Sequence, residues 1–130
     1  MGNEHINEGV HVHNVAAVAT ISFAHPKHNC FPQAQLKALT DAIDTCAQDD
    51  TVRVILLQSD PTKAFCAGAS FDELLAVQTP QQGKRFFMGF ANLINAMRLC
   101  SKPIVGRIHG KAIGGGVGIV AACDYAIATT

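Results

Sequence analysis

Apolar residues recur along this chain with two alternating periods. From His11 to Phe23, Val12, Val15, Ala17, Val18 and Ile21 stand among small or polar residues, which predicts one or two strands with a turn near His13-Asn14. Pro26 drives His25 away from helical geometry, so His25 to Asn29 reads as a loop. Pro32 suits a first helical position. Beyond it Leu36, Leu39, Ile43 and Cys46 recur at helical spacing, predicting an amphipathic helix that ends near Asp49-Asp50. The aliphatic run from Val52 to Leu57 predicts a buried strand. A loop from Asp60 to Ala69 leads into a short helix, Phe71 to Val77. Pro80 opens a longer helix that ends by Ser101, with Phe86, Phe87 and Phe90 assigned to the core. A strand from Pro103 to His109, a buried glycine-led helix and a strand from Tyr125 to Ala128 complete the order. Strands alternating with helices predict an α/β domain with parallel pairing. No internal repeat, linker or low-complexity segment interrupts it.

Composition narrows the function classes. The 130 residues are 48% hydrophobic, enough for one domain with a real core. Ten basic and ten acidic residues cancel, so the charge excess expected of a nucleic-acid or membrane-surface binder is missing. The five cysteines form an odd set without a C-x-x-C pair and read as reduced thiols of a cytoplasmic protein. No apolar run is long enough to cross a bilayer. Glu4 and Glu8 do not fit a secretion signal, and Met1-Gly2 lacks the downstream Ser or Thr of a myristoylation site.

The candidate chemistry lies in two glycine-bearing loops. Gly114, Gly115 and Gly116 open the last helix, although each glycine costs about 1 kcal/mol of helix propensity relative to alanine. Two explanations stand side by side: bare backbone N–H groups meeting an anionic oxygen at a helix N-terminus, or tight packing of the helix on a neighbour. The second loop, Lys63 to Leu74, carries Ala67-Gly68-Ala69 between a strand and a helix.

These two loops, with Pro26-Lys27-His28-Asn29, resemble the three N-terminal motifs of the crotonase (enoyl-CoA hydratase/isomerase) superfamily. The family order is a Pro-x-x-Asn loop, an Ala-Phe-x-Ala-Gly-x-Asp loop, and Lys-Pro-strand-Gly-x-x-x-Gly-Gly-Gly leading to Ala-x-Asp. Here the matching residues are Ala64 to Ser70, Lys102-Pro103, Gly110 to Gly116, and Ala122-Cys123-Asp124. The resemblance runs over residues 10–130. It implies a spiral of repeated β-β-α units that binds acyl-CoA thioesters. Carried over by motif position, the backbone N–H groups of Ala69 and Gly115 would hold the thioester carbonyl and stabilise its enolate. Gly68, Gly114, Ala67, Ser70 and Phe71 would line the substrate site, and Lys27 would stand near the CoA phosphates, unless it is simply a solvated lysine. The implied activity is enoyl-CoA hydratase-like addition of water to a 2,3-enoyl thioester. Isomerase, thioesterase, dehalogenase and non-catalytic acyl-CoA-binding readings remain beside it. The resemblance implies no cofactor beyond CoA as part of the substrate, and a homotrimer or dimer of trimers.

Three departures bear on this. Gly118 stands where the family's hydratases place a glutamate acid/base, and glycine cannot transfer a proton. Ser70 replaces an aspartate, and Asp72 stands where many members have a basic residue toward CoA. The family is also roughly twice as long, so residues 1–130 are expected to be the N-terminal part of a single domain, with a second carboxylate and the trimerisation helices beyond Thr130.

The remaining candidates have modest readings. His11 and His13 share a strand face, but no third ligand is in pattern, so no metal site is expected. His109, at a strand end, is read as a hydrogen-bonded structural histidine with pocket lining as the alternative. Cys66 is loop-borne and could be reactive, although the family often has a small residue there, cysteine included. Gly106 to Lys111 is no phosphate loop, having one residue too few between its glycines and Ala112 where Ser or Thr is needed.

Overall fold

The computed structural model describes residues 5–130; Met1, Gly2 and Glu4 lie outside them. Its first element is a hairpin of β1 (Gly9–Val15) and β2 (Val18–Ala24). Pairing runs from Gly9 with Ala24 to Val15 with Val18, so the turn is Ala16-Ala17 and not His13-Asn14. Val10 and Val12 sit opposite Phe23 and Ile21, and extending the ladder keeps this apolar set on one face. Both alanines take positive φ, 50° and 68°, as a two-residue hairpin turn demands.

Helix α1 (Gln33–Gln48) follows, and Pro32 is its extended N-cap residue instead of its first helical one. Distant side chains cap both of its ends. The Glu73 carboxylate accepts from the Gln33 N–H at 2.7 Å, and Lys102 Nζ donates to the carbonyls of Cys46 and Asp49. Strand β3 (Val54–Ser59) starts two residues later than the aliphatic run suggests, because the Val52 amide closes a turn onto the Asp49 carbonyl. Helix α2 (Phe71–Leu75) is short, and α3 (Pro80–Leu99) starts behind a Thr79 cap. Strand β4 (Ile104–Ile108), helix α4 (Gly115–Ala122) and strand β5 (Tyr125–Ala128) complete the chain.

The strands form one sheet in the order β1-β2-β3-β4-β5, parallel from β2 onward. Helices α1, α3 and α4 pack together over one face. Ile21, Phe23, Ile55, Leu57 and Ile104 from the sheet are buried against Leu36, Leu39, Ile43, Leu93 and Ile119 from the helices. Each such aliphatic side chain contributes about 1.5–3 kcal/mol by burial. Phe87 is 68% exposed, which corrects its assignment to the core. Phe86 and Phe90 lie one helical turn apart on the inward stripe, and Phe87 falls beside it. Helix α4 buries only Gly116 and Ile119, so it is half-covered, not the buried helix its composition suggests. Among the described residues, no helix is long and apolar enough to cross a membrane.

Candidate active site

Parallel pairing of β2, β3 and β4 sends the segments that follow them out of the same end of the sheet. This is where ligands bind in parallel α/β sheets. The three motif loops therefore meet. Phe31 N–H donates to the Gly68 carbonyl at 2.8 Å, Cys66 N–H to Lys111 at 3.3 Å, and Ile113 N–H to Cys66 at 3.0 Å. Below them Phe23 packs on Phe31 and Phe65 with ring centroids 4.7 and 5.4 Å apart, so two of the loops rest on one buried aromatic cluster. Asn29 ties the first loop to the second. Fully buried, with φ 58°, it accepts from the His25 N–H at 2.9 Å and donates to Ala64 O at 2.8 Å and Asp60 O at 3.3 Å. Asparagine tolerates that left-handed backbone better than most residues.

The glycine run splits its duties among its members. Gly114 has φ 57° and ψ −124°, a conformation that strains other residues. A β-carbon on Gly115 would stand 2.5 Å from the Phe90 ring, and one on Gly116 would stand 2.5 Å from the Cys66 carbonyl. Close packing thus accounts for two of the three glycines whether or not a ligand is present. Gly68 has φ 93°, and a β-carbon there would lie 3.0 Å from Ile113 O and 3.6 Å from Gly115 N. The two glycine loops are therefore in backbone contact. Among the described residues, neither the Ala69 N–H nor the Gly115 N–H donates a hydrogen bond, and Gly115 is the first residue of α4, at the positive end of its dipole.

Lys27, Ala67, Ala69, Ser70, Phe71 and Asp72 surround a cavity of about 270 Å³. Gly114 and Gly115 lie across Gly68, outside its lining. Phe71 is 74% exposed. Ser70 caps α2 by accepting from the Glu73 N–H at 3.4 Å, so serine keeps the local hydrogen bonding at this position. A Gly118 β-carbon would point at Ile94 of α3, 2.9 Å from its Cδ1.

The charged groups have definite partners. Lys27 is ion-paired with Asp72, whose hydrogen bond and charge raise the Lys27 amine above its ordinary value. Asp60 is fully buried. Burial alone raises a carboxyl, but hydrogen bonds from the Thr62 N–H and hydroxyl, together with Lys63, outweigh it and hold Asp60 at about 2. His5 Nδ1 is also 2.8 Å from this carboxylate. Burial pushes the Cys66 thiol up to about 12. A thiol held neutral is a poor nucleophile, which favours the small-residue reading of Cys66 over the reactive one. His109 Nε2 donates to Lys63 O at 2.7 Å, the structural role anticipated for it. His11 Nε2 lies 3.0 Å from the Asn7 carbonyl.

Two residues that shape the site escaped the sequence reading. Asp60-x-Thr62 is an Asx-turn pattern, a visible signal. Glu73 follows Ser70 at capping-box spacing, but its carboxylate is spent on α1, which sequence spacing does not reveal.

The arrangement defines an α/β protein in which two touching loops, each with an unused backbone donor, lie at the carboxyl ends of parallel strands, the Ala69 loop lining a small, largely apolar cavity. The sequence profile of the enoyl-CoA hydratase/isomerase family matches residues 13–130, and the chain belongs to that family. It is 30% identical over 113 residues to the 6-oxocyclohex-1-ene-1-carbonyl-CoA hydrolase of Geobacter metallireducens, covering 85% of this chain and 30% of that protein. It is 31% identical over 102 residues to the mitochondrial methylglutaconyl-CoA hydratase of Mus musculus, covering 78% and 32%. The solved enoyl-CoA hydratase of Mycobacterium smegmatis superposes with a TM-score of 0.87 at 30% identity, over 94% of this chain and 48% of that one. The chain spans about a third of the length of these curated relatives and about half of the solved structure.

Proposed function

We propose that this chain carries the oxyanion-hole half of an acyl-CoA enzyme, with hydration of a 2,3-enoyl thioester as its reaction. The observation that carries this is the pair of free backbone donors. Ala69 N–H and Gly115 N–H leave adjoining, mutually hydrogen-bonded loops next to a cavity of about 270 Å³. A thioester carbonyl set between them would have its developing negative charge met by fixed dipoles. One such preorganised donor is worth about 3–4 kcal/mol in the transition state. The pantetheine arm would run past Ala67, Ser70 and Phe71 toward Lys27.

Proton transfer needs a side chain that Gly118 does not offer, and Asp72, the carboxylate on the cavity rim, is paired with Lys27. Among the described residues, the cavity lining holds no other carboxylate for the acid/base step. Gly118 also favours a second reading, a non-catalytic acyl-CoA binder. Product analysis after incubation with enoyl-CoA separates these two and the isomerase and thioesterase readings. A hydroxyacyl product supports the hydratase, a shifted double bond the isomerase, free CoA the thioesterase, and unchanged thioester retained on the protein the binder.

Paired variants test the donor assignment. Gly115→Ala and Gly115→Pro both bring a β-carbon against Phe90, but only proline removes the N–H, at a first-turn position that tolerates it. Turnover of Gly115→Pro is expected to fall about 10²–10³-fold below that of Gly115→Ala. Equal turnover would remove Gly115 from the oxyanion hole.

A further inference from the structure

The rim of the cavity at Ala67–Phe71 carries one lysine and one carboxylate, and they are bonded to each other. Lys27 comes from the loop after β2 and Asp72 from the first turn of α2; their contact joins two segments of the cavity lining. Their side chains are 65% and 69% exposed, so the pair sits in water and opens at small cost. Neighbouring acids are committed elsewhere: Glu73 to the Gln33 N–H, and Asp60 to Thr62 and Lys63. His28 also lines the cavity. The inner wall offers Cys30, Ala67 and Ala69, which bring no charge of their own.

Building on the acyl-thioester reading above, we propose that Asp72 is a specificity-determining residue. It holds Lys27 as an ionic strap between two segments of the cavity lining and lowers affinity for thioesters whose carrier ends in phosphate. A phosphate that reaches the rim has to displace a carboxylate from the lysine and then sits beside that carboxylate. Both effects are electrostatic and weaken with salt. A carrier arm without phosphate meets neither.

Calorimetric binding of but-2-enoyl-CoA, and of the matching but-2-enoyl-pantetheine that lacks phosphates, tests this. The proteins compared are the wild type, Asp72→Asn, and Asp72→Asn combined with Lys27→Gln. Asp72→Asn is expected to bind the CoA thioester about three- to tenfold tighter at low salt while leaving the pantetheine thioester within about twofold. Adding Lys27→Gln is expected to abolish the gain. Unchanged CoA affinity in Asp72→Asn, with both thioesters bound by the wild type, overturns the proposal alone. Loss of affinity for both thioesters in Asp72→Asn would show that Asp72 acts by holding α2, and also overturns it. If neither thioester binds any of the proteins, the acyl-thioester reading falls and takes the strap with it.

Discussion

Asp60 shows how a single buried charge supports the loop that carries Ala69. Its carboxylate is inaccessible to solvent and is held by Thr62 and Lys63 at about 2, against an ordinary 3.8. A carboxyl whose value is depressed on folding adds stability that is present above the ordinary value and is lost as pH falls through the depressed one. At 1.36 kcal/mol per unit, the contribution near neutrality is about 2 kcal/mol. Asp60→Asn should therefore destabilise the protein by about that amount at pH 7 in urea titrations. The gap to wild type should close as the pH is lowered from 3.8 toward 2. A gap that persists unchanged at the acid end would mean that Asp60 acts by shape, not by charge.

At the scale of elements, the hairpin turn between β1 and β2 is the clearest conflict between local sequence and fold. Ala16 and Ala17 both hold positive φ, which costs an L-residue with a β-carbon roughly 1–2 kcal/mol. Pairing of Val10 and Val12 with buried partners across the ladder imposes it. Replacing the pair by Asn-Gly (Ala16→Asn with Ala17→Gly) matches the side chains to the turn. It should raise stability by about 1 kcal/mol, seen as a higher thermal midpoint. A lowered midpoint would argue against the turn geometry. Alanines carry no turn signal, so the local sequence points to His13-Asn14 instead. Longer elements were easier to read. The stripe of α1 (Leu36, Leu39, Ile43, Cys46) is buried as its spacing predicts, since a helix of this length repeats its signal over several turns. In α3 the pattern locates the helix but overreaches at Phe87, because three nearby aromatics cannot all share one inward stripe.

Across the whole molecule, several large apolar side chains stay exposed. Ile113 and Val117 at α4 and Tyr125 and Ile127 on β5 are exposed, while the helical face of the sheet is well covered. Large apolar side chains left in water are candidates for burial in an interface. Native mass spectrometry is accordingly expected to find assemblies heavier than one 13.8 kDa chain. A solely monomeric spectrum at micromolar concentration would contradict this.

The amino-acid sequence by itself determined the alternation of strands and helices and the three motif loops, and through them the family. Those features are written in local periodicity and in residues with restricted backbone preferences. Tertiary structure decided where each motif residue sits and what it touches. Parallel pairing, which links residues far apart in the chain, brought the loops to one end of the sheet and set Gly68 against Gly115. It also divided the glycine run between packing and conformation, neutralised Cys66 by burial, and tied Lys27 to Asp72. Burial, charge pairing and close approach are properties of distance in space, and spacing along a chain does not encode them.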